Sequence, residues 1–158
     1  MRKVMVFALL VLLITGFIWS NSMKEASHSN AQSMAMAESL QPVLDSKEEI
    51  AEWKFHDFVR KLAHIAEFFL LGLAVSGFGV SLSAYRKKAL ISLPILMVLL
   101  VAVADEFIQH FTHRGSMVTD VVLDFASSAV GLVLVWLAVW VFACANRARM
   151  NGKEKANG

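Results

Sequence analysis

Apolar residues in this chain gather in four long blocks separated by polar stretches. The first runs from Val4 to Met23 without a charge and is flanked by Arg2, Lys3 and Lys24. The second, from about Leu62 to Tyr85, is apolar except for His64 and Glu67. The third, from Ala89 to about Phe111, carries Asp105 and Glu106 near its end, and the fourth, from about Val118 to Ala143, carries Asp120 and Asp124 near its start. A helix needs about 20 residues to cross the hydrocarbon core of a bilayer. The pattern therefore predicts an all-α integral membrane bundle of four transmembrane helices.

The connections differ in length. Tyr85-Arg86-Lys87-Lys88 is a tight basic turn, whereas Ser20 to Asp57 is the one long connection. Its first half is rich in Ser, Met and Ala. Pro42 suits the first turn of a helix, where its missing N–H costs nothing. From Val43 to Phe58 apolar Leu44, Ile50, Trp53, Phe55 and Phe58 interleave with Glu48, Glu49, Glu52 and Lys54. That pattern fits a short helix lying in the outer interface, or a solvated entry to the second span. The chain thus divides into a first transmembrane helix (1–23), an extracytoplasmic loop (24–57), a core of three transmembrane helices (58–144) and a basic tail (145–158).

The first block has the basic start of a signal peptide. Its apolar run is longer than the usual core of such a peptide, and no small-x-small cleavage site follows Trp19, so a retained anchor is the favoured reading. Orientation follows from the basic residues. With a cytoplasmic N-terminus, the turn Arg86-Lys87-Lys88 and the tail from Arg147 to Lys155 both face the cytoplasm. The expected place is the bacterial inner membrane, with both termini inside.

Composition agrees. Of 158 residues, 57% are hydrophobic and only 18% charged, against about 25% charged in soluble domains. The excess is too large for one small aqueous core and argues against disorder. The single cysteine, Cys144, excludes an intrachain disulfide. A net charge of +2 with scattered basic residues gives no sign of a nucleic-acid partner.

The charges inside the spans carry the chemistry, because an ionisable group in the bilayer is costly unless it faces a partner or a polar cavity. At ~1.5 Å rise per residue, Glu67 lies about 10 Å and Asp105 and Asp124 about 9 Å below the outer boundary. Three helices therefore bring acids to one level. Arg60, His64, Glu67 and Leu71 share a helix face, as do Asp105 and Gln109, and Asp120, Asp124, Ser127 or Ser128, and Gly131. Gly72 and Gly131 allow close helix approach. Arg60, Lys61 and Arg114 sit at the outer rim, where Arg114 is placed to pair with Asp105, Glu106 or Asp120.

Arg60-Lys61-Leu62-Ala63-His64-Ile65-Ala66-Glu67-Phe68, followed by Leu71-Gly72, resembles the R-K-x-A-H-x-x-E-[FY]-x-x-L-G signature of the VanZ-like membrane proteins. Asp105, Glu106, Gln109, Phe111, Arg114, Asp120 and Asp124, with Gly131 beyond, resemble that family's second signature, and Phe17 to Ser22 resembles its exit from the first helix. The turn before Arg114 departs from the pattern, with His113 where a glycine is common. The resemblance spans about residues 7 to 140. It implies a multi-span bacterial inner-membrane protein, and the founding member is linked to low-level resistance to the glycopeptide teicoplanin.

Several functions suit such a site. A purely structural polar network would lock the helices together. Against it, five acids (Glu67, Asp105, Glu106, Asp120, Asp124) face Arg60, Lys61, Arg114 and His64, a surplus that invites a cation or a basic ligand. A binding protein would hold a lipid headgroup or a lipid-linked envelope precursor, with Arg60, Lys61 and Arg114 on phosphate. A membrane-embedded enzyme would use His64, Glu67 and the acids to hold a divalent metal, Mg²⁺ or Mn²⁺ before Zn²⁺, or use His64 as a general base. A proton-coupled transporter fits least, since the inner halves of the spans lack polar residues.

Overall fold

The computed structural model describes residues 1–23, 52–112 and 117–156. Four helices account for nearly all of them: α1 (Arg2–Ser22), α2 (Glu52–Arg86), α3 (Ser92–Phe111) and α4 (Val118–Ala156). Each contains a window long and apolar enough to span a membrane, as the four blocks predict. At about 1.5 Å per residue, the 21 residues of α1 and 20 of α3 just cover the hydrocarbon core. The 35 residues of α2 and 39 of α4 reach well beyond it.

Two helix ends differ from the apolar blocks. α4 continues to Ala156, through the basic tail, because no proline stops it and Ala, Arg and Met in that stretch favour helix. α3 starts at Ser92 rather than Ala89, because the chain must first turn. Lys87 adopts a left-handed conformation (φ 54°), and the Lys88 amide donates to the Ser83 carbonyl at 3.2 Å. This is the six-to-one closure that ends helices with a left-handed residue. The Leu90 amide donates to Ser83 Oγ at 3.1 Å and holds the exit in place. Pro94 falls at the third position of α3, where no intrahelical N–H bond is lost. The expected interfacial helix lies outside the described residues up to 51, and from Glu52 the chain is already in α2.

α2 packs against all three other helices, most extensively against α4. The core runs between them as Val11 and Ile18 of α1, Phe68, Leu71, Ala74 and Val75 of α2, Val98 and Ala102 of α3, and Leu132 of α4. α2 and α4 meet backbone to backbone at Gly72 and Gly131. A Cβ on Gly72 would overlap the Ser128 carbonyl oxygen, and one on Gly131 would come to 2.6 Å from the Phe69 carbonyl oxygen. Two hydroxyls fasten the crossing: Ser128 Oγ donates to the Phe68 carbonyl at 2.9 Å, and Ser76 Oγ donates to the Leu132 carbonyl at 3.3 Å. Small residues and interhelical hydrogen bonds stand in for the hydrophobic effect, which lipid tails remove.

The outward faces are apolar. Leu9, Leu12, Leu13 and Phe17 of α1, Leu96 and Leu100 of α3, and Trp140 and Phe142 of α4 are exposed. Each would lose roughly 1.5–3 kcal/mol in water relative to burial, and lipid removes that cost. Among the described residues, only 11% of the α1 span is buried. The chain is a multi-pass membrane protein.

Candidate functional site

The polar residues collect at the end of the bundle where α1 and α3 finish and α2 and α4 begin. On α2, steps of four and three residues from Arg60 to His64 to Glu67 keep all three on one face. His64 and Glu67 are largely buried, and His64 Nδ1 lies 3.9 Å from Glu67 Oε2. Phe68, one turn below, stacks near the His64 ring.

The last turns of α3 contribute Asp105, Glu106 and Gln109, all buried. Gln109 Nε2 donates to Asp105 Oδ2 at 2.7 Å, the four-residue pairing the sequence predicts. The other oxygen, Asp105 Oδ1, is buried with no hydrogen-bond partner among the described residues. Glu106 has a different role. Its Oε2 accepts the Met117 amide at 3.1 Å, immediately before α4. Helix N-termini leave backbone donors unsatisfied and carry partial positive charge, so a carboxylate there is stabilising. One turn into α4, Asp120 stands partly buried and Asp124 is 2% exposed.

Between α2, α3 and α4 lies a cleft lined by Arg60, Lys61, His64, Glu106, Gln109, Asp120, Leu123 and Asp124. It is a shallow space open at its mouth, walled by these polar and charged side chains. Asp105 and Glu67 do not line it. Asp105 is fully buried, yet one ligand atom each from His64, Asp105 and Asp124 lie within 4.8 Å of one another. Glu67 instead reaches toward α1. Arg114, the remaining residue expected here, lies outside the described residues.

α1 supplies polar partners that sequence reasoning left out of the site. Asn21 Nδ2 donates to Glu67 Oε1 at 2.9 Å. Gln109 Nε2 also stands 3.5 Å from Ser22 Oγ, and Thr112 Oγ1 donates to the Ser22 carbonyl at 3.1 Å. Asn21-Ser22 at the end of the first apolar block was the available signal. The result is a chain of contacts from Asn21 through Glu67 to His64, and another from Ser22 through Gln109 to Asp105. Both converge on the space among His64, Asp105 and Asp124.

Chemically, the arrangement brings cationic groups of one helix and carboxylates of two others to the same cleft inside an apolar bundle. Burying an ion costs several kcal/mol unless partners replace water. The donors from Gln109, Asn21 and Met117 supply part of that replacement.

The chain was compared with known proteins. The VanZ/LLP1 family model matches residues 6–140. No curated protein and no solved structure matches the chain. The family match runs from the first turns of α1, through both polar stripes, into α4, and so takes in every residue of the cleft. On that match, this multi-pass membrane chain belongs to the VanZ/LLP1 family.

Proposed function

We propose that the chain binds the phosphate-bearing headgroup of a membrane lipid, or of a lipid-linked envelope precursor, in the cleft between α2, α3 and α4. The observation that carries this reading is the lining itself: Arg60 and Lys61 stand beside His64 and carboxylates in a bundle whose outer faces are apolar. A guanidinium fork matches phosphate geometry bidentately, and an ammonium adds a point charge. Carboxylates suit the hydroxyls or amines that headgroups carry. A headgroup would sit in the open mouth of the cleft, while acyl or prenyl tails stay in the bilayer along the apolar helix faces.

Basic residues give the orientation. Arg86, Lys87 and Lys88 lie at the opposite end from the cleft, and so do Arg147 and Arg149. The positive-inside rule then puts the cleft at the outer face of a bacterial cytoplasmic membrane. Sequestering an envelope precursor there would reduce its access to a glycopeptide. Low-level teicoplanin resistance would follow indirectly.

The test is mass spectrometry of lipids retained on gently purified protein, beside a double variant, Arg60→Ala with Lys61→Ala. Loss of charge-assisted hydrogen bonds worth roughly 1.5–3 kcal/mol each predicts at least a tenfold drop in one retained phosphate lipid. The same lipids in the same amounts on both proteins would refute headgroup binding. Reporter fusions after Arg86 should read as cytoplasmic, and an external Arg86 would overturn the orientation.

A further inference from the structure

We propose that His64, Asp105 and Asp124 form a binding site for a divalent first-row transition ion, zinc or manganese, where α2, α3 and α4 converge beside the cleft. The inference goes beyond headgroup binding and stands whether or not a headgroup occupies the cleft.

The first observation is geometric. Ligand atoms from three different helices lie within 4.8 Å of one another. An equilateral triangle of that edge has its centre about 2.8 Å from each corner, against about 2.0–2.2 Å for zinc bonded to imidazole or carboxylate. A contraction of less than 1 Å per side chain, roughly a small rotamer adjustment, closes the gap.

The second observation is independent of the cluster. Asp105 is completely buried, Gln109 holds its Oδ2, and its Oδ1 has no hydrogen-bond partner among the described residues. A buried carboxylate oxygen without a donor is costly, and an ion among the three residues would satisfy it. The same ion would relieve the repulsion between the Asp105 and Asp124 carboxylates.

The surroundings match what ligating side chains need. A metal-bound histidine commonly turns its other ring nitrogen to a carboxylate, and a ligating carboxylate is itself held by a donor. Here Gln109 anchors Asp105, and Glu67, held by Asn21, stands 3.9 Å from His64 Nδ1, near it but beyond hydrogen-bond range. One imidazole with two carboxylates selects against Mg²⁺ and Ca²⁺, which take oxygen donors, and favours zinc or manganese. Three protein ligands leave a coordination position open, which falls to water or to an oxygen of a bound headgroup.

The test uses the full chain in detergent, stripped with a chelator and titrated with zinc or manganese chloride alone. Isothermal titration and elemental analysis should find saturable uptake of about one ion per chain, unaffected by tenfold excess magnesium. Asp105→Asn and Asp124→Asn should each weaken it at least tenfold. Gln109→Ala should weaken it about 10- to 100-fold, the usual cost of losing an outer partner of a ligand. Cobalt added to the wild-type chain should give a visible absorption spectrum of a nitrogen–oxygen site, a readout that needs no variant to fold. Absence of saturable uptake by the wild-type chain would overturn the proposal, as would uptake undiminished by the substitutions. Uptake by Arg114→Ala but not by the wild type would also overturn it, since the guanidinium would then fill the site. Lipid retention is measured separately, so failure here is distinguishable from failure of headgroup binding.

Discussion

Gln109 does for Asp105 what water does for a carboxylate at a protein surface: it supplies a donor, at 2.7 Å, where none would otherwise reach. Removing that donor leaves the oxygen buried and unsatisfied, at a cost of about 1–3 kcal/mol. Gln109→Leu should therefore lower the thermal unfolding midpoint in detergent by several degrees, and an unchanged midpoint would mean that Asp105 has another donor. This pair was legible in the sequence, because four residues along one helix fix the geometry whatever the helix packs against. The Asn21–Glu67 bond was not. It joins residues 46 apart, and which face of α1 meets α2 depends on tertiary packing that no local period encodes. Glu106 reads in sequence as one more acid of the cluster. Its bond to the Met117 amide shows that one oxygen serves the start of α4 instead.

Among the helices, α2 is the element on which the others rest, and its closest crossing is with α4. There the absence of a side chain at Gly72 is structural: an added methyl meets the backbone carbonyl of Ser128, which cannot rotate away. Overpacking of this kind costs about 1–3 kcal/mol. Gly72→Ala should lower thermal stability accordingly. Gly16→Ala, on an exposed face of α1 with nothing within 4 Å of the new methyl, should leave it unchanged or slightly raised. Equal effects of the two substitutions would contradict the crossing. Helix number and approximate span were readable from block length, because the bilayer sets that length. The ends were not. α4 runs on to Ala156 through residues that hydropathy assigns to a tail, and α3 waits for the left-handed turn at Lys87. Hydropathy reports what meets lipid, whereas helix continuation follows local propensity and capping.

At the scale of the whole molecule, the bundle is polarised. One end carries the cleft and the buried acids, and the other carries the basic turn around Arg86 to Lys88. Depth arithmetic along each span places Glu67, Asp105 and Asp124 at one level from sequence alone, because helical rise is constant. Rotation of each helix about its axis is set by packing. It turns Asp105 and Asp124 toward His64 and leaves Glu67 reaching to Asn21. Convergence of α2, α3 and α4 on one pocket is thus the claim on which headgroup and metal binding both rest. Solid-state NMR on carboxyl-labelled protein in a lipid bilayer tests it directly. Ligand oxygens within 4.8 Å put the Asp105 and Asp124 carboxyl carbons within about 7 Å, and the account predicts an Asp105–Asp124 carboxyl cross-peak, separate from any Asp120–Asp124 peak within α4, that vanishes in Asp105→Asn. Absence of that cross-peak in the wild-type chain, or its survival in Asp105→Asn, would contradict the pocket.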